Sequence, residues 1–324
     1  MKYCRLGNGP LEVSRLSFGT WLTVAGGIGH EQATRCIHAA VEQGITLFDT
    51  ANEYGAGAAE CTLGAALKAF PRDRYLVATK LFFPVGDEPD RGLSAAQIEK
   101  QLHRSLERLG VDVIDLYYCH RFDKETPLEE TLEALSRAVK SGKVRAIGFS
   151  EWTGEQIDRA AALAGDSGFI PFSASQPQYS MLWRKPESKV FPACARSGVG
   201  NVVFSPLAHG VLTGKYAPGQ PPPPGSRAAD QQMNRFMETA GRHYRSDYLL
   251  EAVEKLKPIA ADLGLTMAQM ALAWVLRRTE VASAIIGASR PEQVADNVMA
   301  LDVQLPEEAI ERMDQALAAV AVWE

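Results

Sequence analysis

Short apolar runs alternate with longer amphipathic segments along most of this chain, and few folds accept that rhythm. The strand-like runs cover residues 16–20, 47–50, 75–80, 113–120, 144–150, 173–179, 201–206 and 283–288. Helical patterns follow over residues 31–44, 60–70, 94–110, 126–142, 153–164 and 188–197. Residues 94–110 begin at a serine, whose oxygen can accept from the free N–H groups of the first turn, and end at a glycine. Residues 126–142 open Thr126-Pro127 and also end in glycine. Strand-then-helix units imply a parallel sheet, and eight of them imply a closed (β/α)8 barrel of the TIM-barrel type. An open doubly wound sheet would carry Gly-x-Gly-x-x-Gly after its first strand. The glycines of residues 19–29 lack that spacing.

Three stretches depart from the rhythm. The first 15 residues pattern as a β-hairpin around Gly7-Asn8-Gly9-Pro10. Residues 208–245 are long and irregular and include Pro221 to Pro224, which suits a lid or a binding loop. Extra helices close the chain, near 248–263 and 266–278 and from Pro291 and Pro306. No shift in composition marks a boundary, so residues 1–324 are expected to form one barrel domain.

Composition narrows the partners. The net charge is −5 and no stretch is strongly basic, which excludes nucleic acid. Five cysteines, at 4, 36, 61, 119 and 194, are an odd count with no Cys-x-x-Cys pair, so neither a disulfide framework nor a zinc knuckle is expected. No apolar run follows Met1-Lys2-Tyr3-Cys4-Arg5, and none approaches the ~18 residues of a membrane span. The expectation is a soluble, cytoplasmic protein without membrane insertion.

A barrel of this kind carries its active site at the C-terminal strand ends. The second strand ends Leu47-Phe48-Asp49-Thr50, the third Ala78-Thr79-Lys80 and the fourth Tyr117-Tyr118-Cys119-His120; Tyr54 lies just past the second. Singly, Asp49 is a loop cap, Lys80 a solvated strand end and His120 a structural histidine. Their convergence at one end of one barrel favours chemistry instead. A phenol ionises near ~10, too high for an efficient acid at neutral pH. A buried lysine would lower that value, an aspartate would keep the lysine charged, and a histidine could orient a carbonyl oxygen. That set suits reduction of C=O by an external hydride source.

The chain resembles the aldo-keto reductases from end to end. The resemblance is carried by Phe48-Asp49-Thr50-Ala51 leading to Tyr54-Gly55, by Ala78-Thr79-Lys80, and by residues 112–116 leading to His120. Gly148-Phe149-Ser150, Gln176-Pro177-Gln178-Tyr179, Phe204-Ser205-Pro206-Leu207-Ala208, Gly214-Lys215-Tyr216 and residues 286–293 complete it. Within that superfamily it is most similar to the potassium-channel β subunits and their bacterial relatives. The resemblance implies Tyr54 as general acid, Lys80 and Asp49 as its tuners, His120 as the residue orienting the carbonyl, and NADPH/NADP+ as cofactor. It implies that Ser150 and Gln176 hold the carboxamide, that Phe204 stacks on the nicotinamide, and that Thr20 and Trp21 lie near its ribose. Ser205, Pro206, Leu207 and Ala208 would meet the pyrophosphate, with Lys215 and Arg227 as a basic clamp. Gly287, Ser289, Gln293, Asp296 and Asn297 would hold the adenosine end. The Ser289-Arg290-Pro291 junction independently offers free N–H groups to a phosphate, and Arg290 or Arg227 charge for a 2′-phosphate.

Departures from the channel-subunit pattern carry information. His120 stands where those subunits have asparagine, and histidine marks catalytically competent members. Phe204 replaces tryptophan, Glu151 arginine, Gly27 glutamine and His209 cysteine. Trp21, Tyr54, Phe82, Phe83, His120, Phe122 and Trp152 are candidates to line the approach of a small carbonyl substrate. Arg121 either draws an acidic carbonyl compound or pairs with Asp123. The leading expectation is a stand-alone aldehyde or ketone reductase, since the chain starts at its own hairpin and carries His120. The alternative is a slow-turnover NADPH-binding regulatory subunit. Channel-like relatives assemble, which makes a homo-oligomer an expectation of the resemblance.

Overall fold

The computed structural model describes residues 1–21, 24, 27–86, 90–230, 237 and 243–323. The N-terminal hairpin pairs β1 (Tyr3–Arg5) with β2 (Glu12–Ser14), antiparallel, with Tyr3 opposite Ser14. The repeating units then run β3 (Leu16–Gly19), α1 (His30–Glu42), β4 (Leu47–Asp49), α2 (Ala58–Leu67), β5 (Leu76–Leu81), α3 (Ala95–Leu109) and β6 (Ile114–Cys119). They continue with α4 (Leu128–Lys140), β7 (Val144–Ser150), α5 (Gly154–Ser167), β8 (Ala174–Gln176), α6 (Val190–Arg196) and β9 (Gly200–Val203). After the long loop come α7 (Asp247–Glu254), α8 (Leu256–Asp262), α9 (Met267–Leu276), β10 (Val281–Ile286), α10 (Pro291–Val298) and α11 (Glu307–Leu317).

Strands β3 to β10 form a closed parallel barrel in chain order, with β10 pairing back onto β3 through Ala284–Leu16 and Ile286–Phe18. The (β/α)8 expectation, with its hairpin and extra helices, is met. Two apolar layers hold it. Leu47, Ala78, Leu116, Ala146, Ala174 and Val202 point inward, and Leu6, Leu11 and Val13 of the hairpin pack onto them, closing the N-terminal end. The outward residues, among them Phe18, Phe48, Tyr117, Ile147 and Phe149, pack under the helices. Gly148 matters to the inner layer: a Cβ there would lie 2.5 Å from the Tyr118 ring.

Element ends follow local chemistry. Ser94 caps α3 by accepting from the Gln97 N–H, and Gly110 ends it at φ 65°. Thr153–Gln156 and Thr266–Gln269 are reciprocal capping boxes at α5 and α9. Several expected elements come out shorter or divided, among them the strand expected over 201–206, which ends at Val203, and two have a proline as the cause. The strand expected over 173–179 stops at Gln176, because Pro177 has no N–H for a ladder. The helix expected over 248–263 divides at Lys255, because Pro258 cannot donate to the Glu254 carbonyl one turn back. In the long loop, residues 208–213 are 3-10-like on either side of a left-handed kink at His209 and Gly210, and the Ala228 N–H donates to the buried Tyr216 hydroxyl at 3.3 Å. Residues 231–236 and 238–242 of that loop lie outside the described residues. Among the described residues, no single helix is long and apolar enough to cross a membrane, and no cluster of three metal-ligating side chains occurs.

Candidate active site

The barrel's C-terminal mouth opens into a cavity of about 1220 Å³. At its floor, β4 ends in Asp49, β5 carries Lys80 and His120 follows β6, so three adjacent strands aim three ionisable groups at one point. Tyr54 enters from the loop after β4. Lys80 is fully buried and donates to Asp49 Oδ1 at 2.6 Å, the Thr50 carbonyl at 2.8 Å and Tyr54 Oη at 3.1 Å. All three ammonium N–H groups are thereby engaged. The phenol oxygen accepts from lysine, which leaves its own proton free to face the cavity. Asp49 Oδ2 accepts from Gln176 Nε2 at 2.8 Å, so the carboxylate is held from both sides.

The electrostatics refine one expectation. Lys80 was to lower the Tyr54 phenol, yet burial pushes that phenol well above its ordinary 10, with Asp49 and then Glu53 adding to the rise. Burial outweighs what the lysine could offer, since its ammonium is itself paired with Asp49 at 2.6 Å. Tyr54 therefore stays protonated, a loaded donor. Lys80 itself is drawn below 10.5 by burial, which Asp49 opposes. Burial, then Lys80 and Arg121, hold His120 well below 6.5, so its ring is neutral with a single N–H. Its Nδ1 is buried without a hydrogen-bond partner and stands 3.7 Å from Glu53 Oε1.

Aromatic rings line one wall. Phe83, His120, Tyr54, Trp21, His209 and Tyr244 follow one another with centroid spacings of 5.1, 5.8, 6.2, 6.0 and 5.7 Å. Of these, Phe83, His120, Tyr54, Trp21 and His209 line the cavity. Three substrate candidates do not. Trp152 stacks on Phe149 at 4.9 Å and meets Phe172 and Phe122 edge-on, in the apolar layer behind β7. Glu151, just before it, takes a left-handed conformation at φ 57° and itself lines the cavity. Phe122 goes with Trp152, and Phe82 is buried beneath Phe83 under the Arg91 guanidinium. Arg121 does not pair with Asp123, which accepts from Leu93, Glu125 and Thr126; it donates to the His120 carbonyl and lies over the Phe83 ring.

The cavity continues away from the tetrad of Asp49, Tyr54, Lys80 and His120. Trp21, Ser150, Gln176, Phe204, Ser205, Pro206, Leu207, Lys215, Arg227, Gly287, Ser289, Gln293, Asp296 and Asn297 all line it. Thr20 and Ala208 do not: the Thr20 hydroxyl donates to the Asp49 carbonyl at 3.1 Å, and Ala208 is buried beneath the loop. Lys215, Arg227 and Arg290 gather at the far end. Burial and the two arginines draw Lys215 down from 10.5, and burial draws Arg227 down to about 10. Positive charge crowded into a cavity fits a polyanionic ligand. Helix α10 starts beside it at Pro291 with no side-chain cap on its free N–H groups. Glu53, Ile28, Asp230, Thr266, Met267 and Ala268 also line the cavity, and sequence reasoning had not singled them out. Only Glu53 carried a signal, as the neighbour of Tyr54.

Comparison with known proteins gives a consistent answer. The model of the aldo/keto reductase family matches residues 15–318. The chain is 38% identical over 306 residues to a probable voltage-gated potassium channel subunit beta of Oryza sativa subsp. japonica, covering 94% of this chain and 92% of the relative. It is 37% identical, with the same coverage, to a protein of that name from Arabidopsis thaliana. A putative voltage-gated potassium channel subunit beta of Schizosaccharomyces pombe is 37% identical over 322 residues, 96% of this chain and 92% of the relative.

Proposed function

The chain belongs to the aldo/keto reductase family, and on that footing we propose that it is an NADPH-dependent reductase of aldehydes or ketones with Tyr54 as general acid. The observation that carries the reading is the Tyr54 oxygen, which accepts from Lys80 and so turns its proton toward the cavity. Asp49 fixes Lys80, and His120 offers its one N–H to the carbonyl oxygen. The family's chemistry is NAD(P)H-dependent oxidoreduction, and the cationic end of the cavity, with the α10 N-terminus, fits a dinucleotide bearing a 2′-phosphate. Lys215, Arg227 and Arg290 would hold its phosphates, and Ser150, Gln176 and Phe204 its nicotinamide. When bound, the dihydronicotinamide supplies the hydride that reaches the carbonyl carbon.

Tyr54 gives its proton to the carbonyl oxygen, completing the alcohol. The phenolate left behind keeps the Lys80 N–H, which limits the cost of its burial, and recovers a proton from water in the cavity. Phe83 and Trp21 suit apolar or aromatic carbonyl compounds. Residues 1–324 would act as one domain, in the cytoplasm. The relatives are named as channel subunits, which favours a second reading, a subunit rather than a stand-alone enzyme; in that reading the chain would bind NADPH and turn over slowly, and self-assembly is proposed with it, to be tested by light scattering. A panel of aldehydes and ketones with NADPH consumption followed spectroscopically separates the two. Multiple turnovers on any member support the reductase, and binding of NADPH without turnover across the panel supports the subunit.

A further inference from the structure

Among the described residues, Glu53 is the one carboxylate at the tetrad that the reaction above leaves without a task. It lines the cavity, a third of its side chain is exposed, and its Oε1 stands 3.7 Å from His120 Nδ1. Across the floor it faces Tyr54 from its own loop, Lys80 from β5, and His120 and Arg121 from the end of β6, with Asp49 behind Tyr54. Among the described residues, the ion-pair contact of Glu53 is to the neutral His120, while Lys80 is committed to Asp49 and Arg121 donates to the His120 carbonyl.

His120 is neutral, so one ring nitrogen carries the proton and the other a lone pair. Nδ1 is buried and lacks a hydrogen-bond partner, which leaves Nε2 as the nitrogen available to the cavity. The group next to Nδ1 therefore decides what Nε2 offers. A carboxylate there draws the proton to Nδ1, and Nε2 presents a lone pair that repels a carbonyl oxygen. A carboxylic acid there donates to Nδ1, and Nε2 presents the N–H that a carbonyl oxygen needs. We propose that Glu53 is a positioning residue that sets the tautomer of His120, and that its protonated form is the one competent for carbonyl reduction. Burial raises the Glu53 carboxyl above its ordinary 4.5, against Lys80 and Arg121, which keeps the acid form present at milder pH. A short movement of the Glu53 side chain closes the 3.7 Å gap to hydrogen-bond distance.

The inference rests on the reductase reading for its catalytic consequence but has a readout of its own. Protein labelled with 15N-histidine, with His120 assigned by loss of its signals in His120→Asn, is titrated without substrate. The His120 ring is expected to change from the Nε2–H to the Nδ1–H tautomer as pH rises through the Glu53 midpoint. In Glu53→Gln and Glu53→Val the tautomer should no longer depend on pH. With 4-nitrobenzaldehyde and NADPH, kcat/KM of the wild type should fall on the alkaline side, by on the order of tenfold per pH unit, and that limb should vanish in Glu53→Gln. A wild-type tautomer constant across the titration, or the same change persisting in Glu53→Gln, overturns the proposal. A tautomer change that depends on Glu53 in a protein that reduces no carbonyl compound upholds it and overturns the reductase reading instead.

Discussion

Lys80 holds three acceptors at once, and removing it affects each differently. Lys80→Met keeps the length but leaves the Asp49 carboxylate buried without its counter-charge, which should cost about 3–5 kcal/mol of stability by denaturant titration. Tyr54→Phe removes only the phenol hydroxyl. Reduction should fall on the order of 10²–10⁴-fold, with the NADPH dissociation constant nearly unchanged; turnover at the wild-type rate would dismiss Tyr54 as the acid. His120 adds a pH dependence with a definite sign. Its folded value lies below 6.5, so the unfolded chain takes up that proton first, and stability should decline as pH falls below 6.5. His120→Asn should flatten that part of the curve in thermal melts across pH. Asp49, Lys80 and His120 were legible from sequence as a group because they lie at or beside the ends of consecutive strands, and Tyr54 because it closely follows the first of them. The Glu53–His120 contact was not, because it depends on how one loop lies over the next strand's end.

At the scale of elements, helix packing tolerates little. Gly64 in α2 faces α3 so closely that a Cβ would lie 2.1 Å from the Leu109 carbonyl oxygen. Gly64→Ala should destabilise the protein by about 1–3 kcal/mol in chemical denaturation, since backbone rather than a mobile side chain must yield. The long loop makes the opposite case, for binding. Arg227 lines the cavity from its 3-10 turn, beside Lys215 and Arg290. Arg227→Ala should raise the dissociation constant for NADPH more than for NADH in fluorescence titrations, and equal effects would argue against a 2′-phosphate contact. Strand and helix positions were legible from periodicity, but their lengths were set by prolines 177 and 258, whose effect depends on which carbonyl lacks a donor. Aromatic residues near the mouth could not be sorted by sequence either. Phe83 and Trp152 are equally apolar, yet the first lines the cavity and the second stacks on Phe149 behind the barrel wall.

For the whole molecule, closure is what turns scattered strand ends into a site. Pairing of β10 with β3 completes a ring, and the hairpin residues Leu6, Leu11 and Val13 close the end opposite the cavity. The floor is therefore a packed core, and the cavity leads to the tetrad from the mouth. A dinucleotide bound along that mouth would touch segments from β7 to α10, distant in sequence, and so should stabilise them together. At a hundredfold excess over its dissociation constant, linkage gives about 2.7 kcal/mol, visible as a higher melting temperature with NADPH than without.

The row of rings from Phe83 to Tyr244 has a handed consequence. A ketone whose oxygen is fixed between Tyr54 and His120 has two substituents to place, one on the Trp21 side and one on the Phe83 side. Those sides differ in size and in charge, since Arg121 lies over Phe83 and His209 meets Trp21. A prochiral ketone with unequal substituents would then offer one face to the incoming hydride, and its product should be a single enantiomer in large excess.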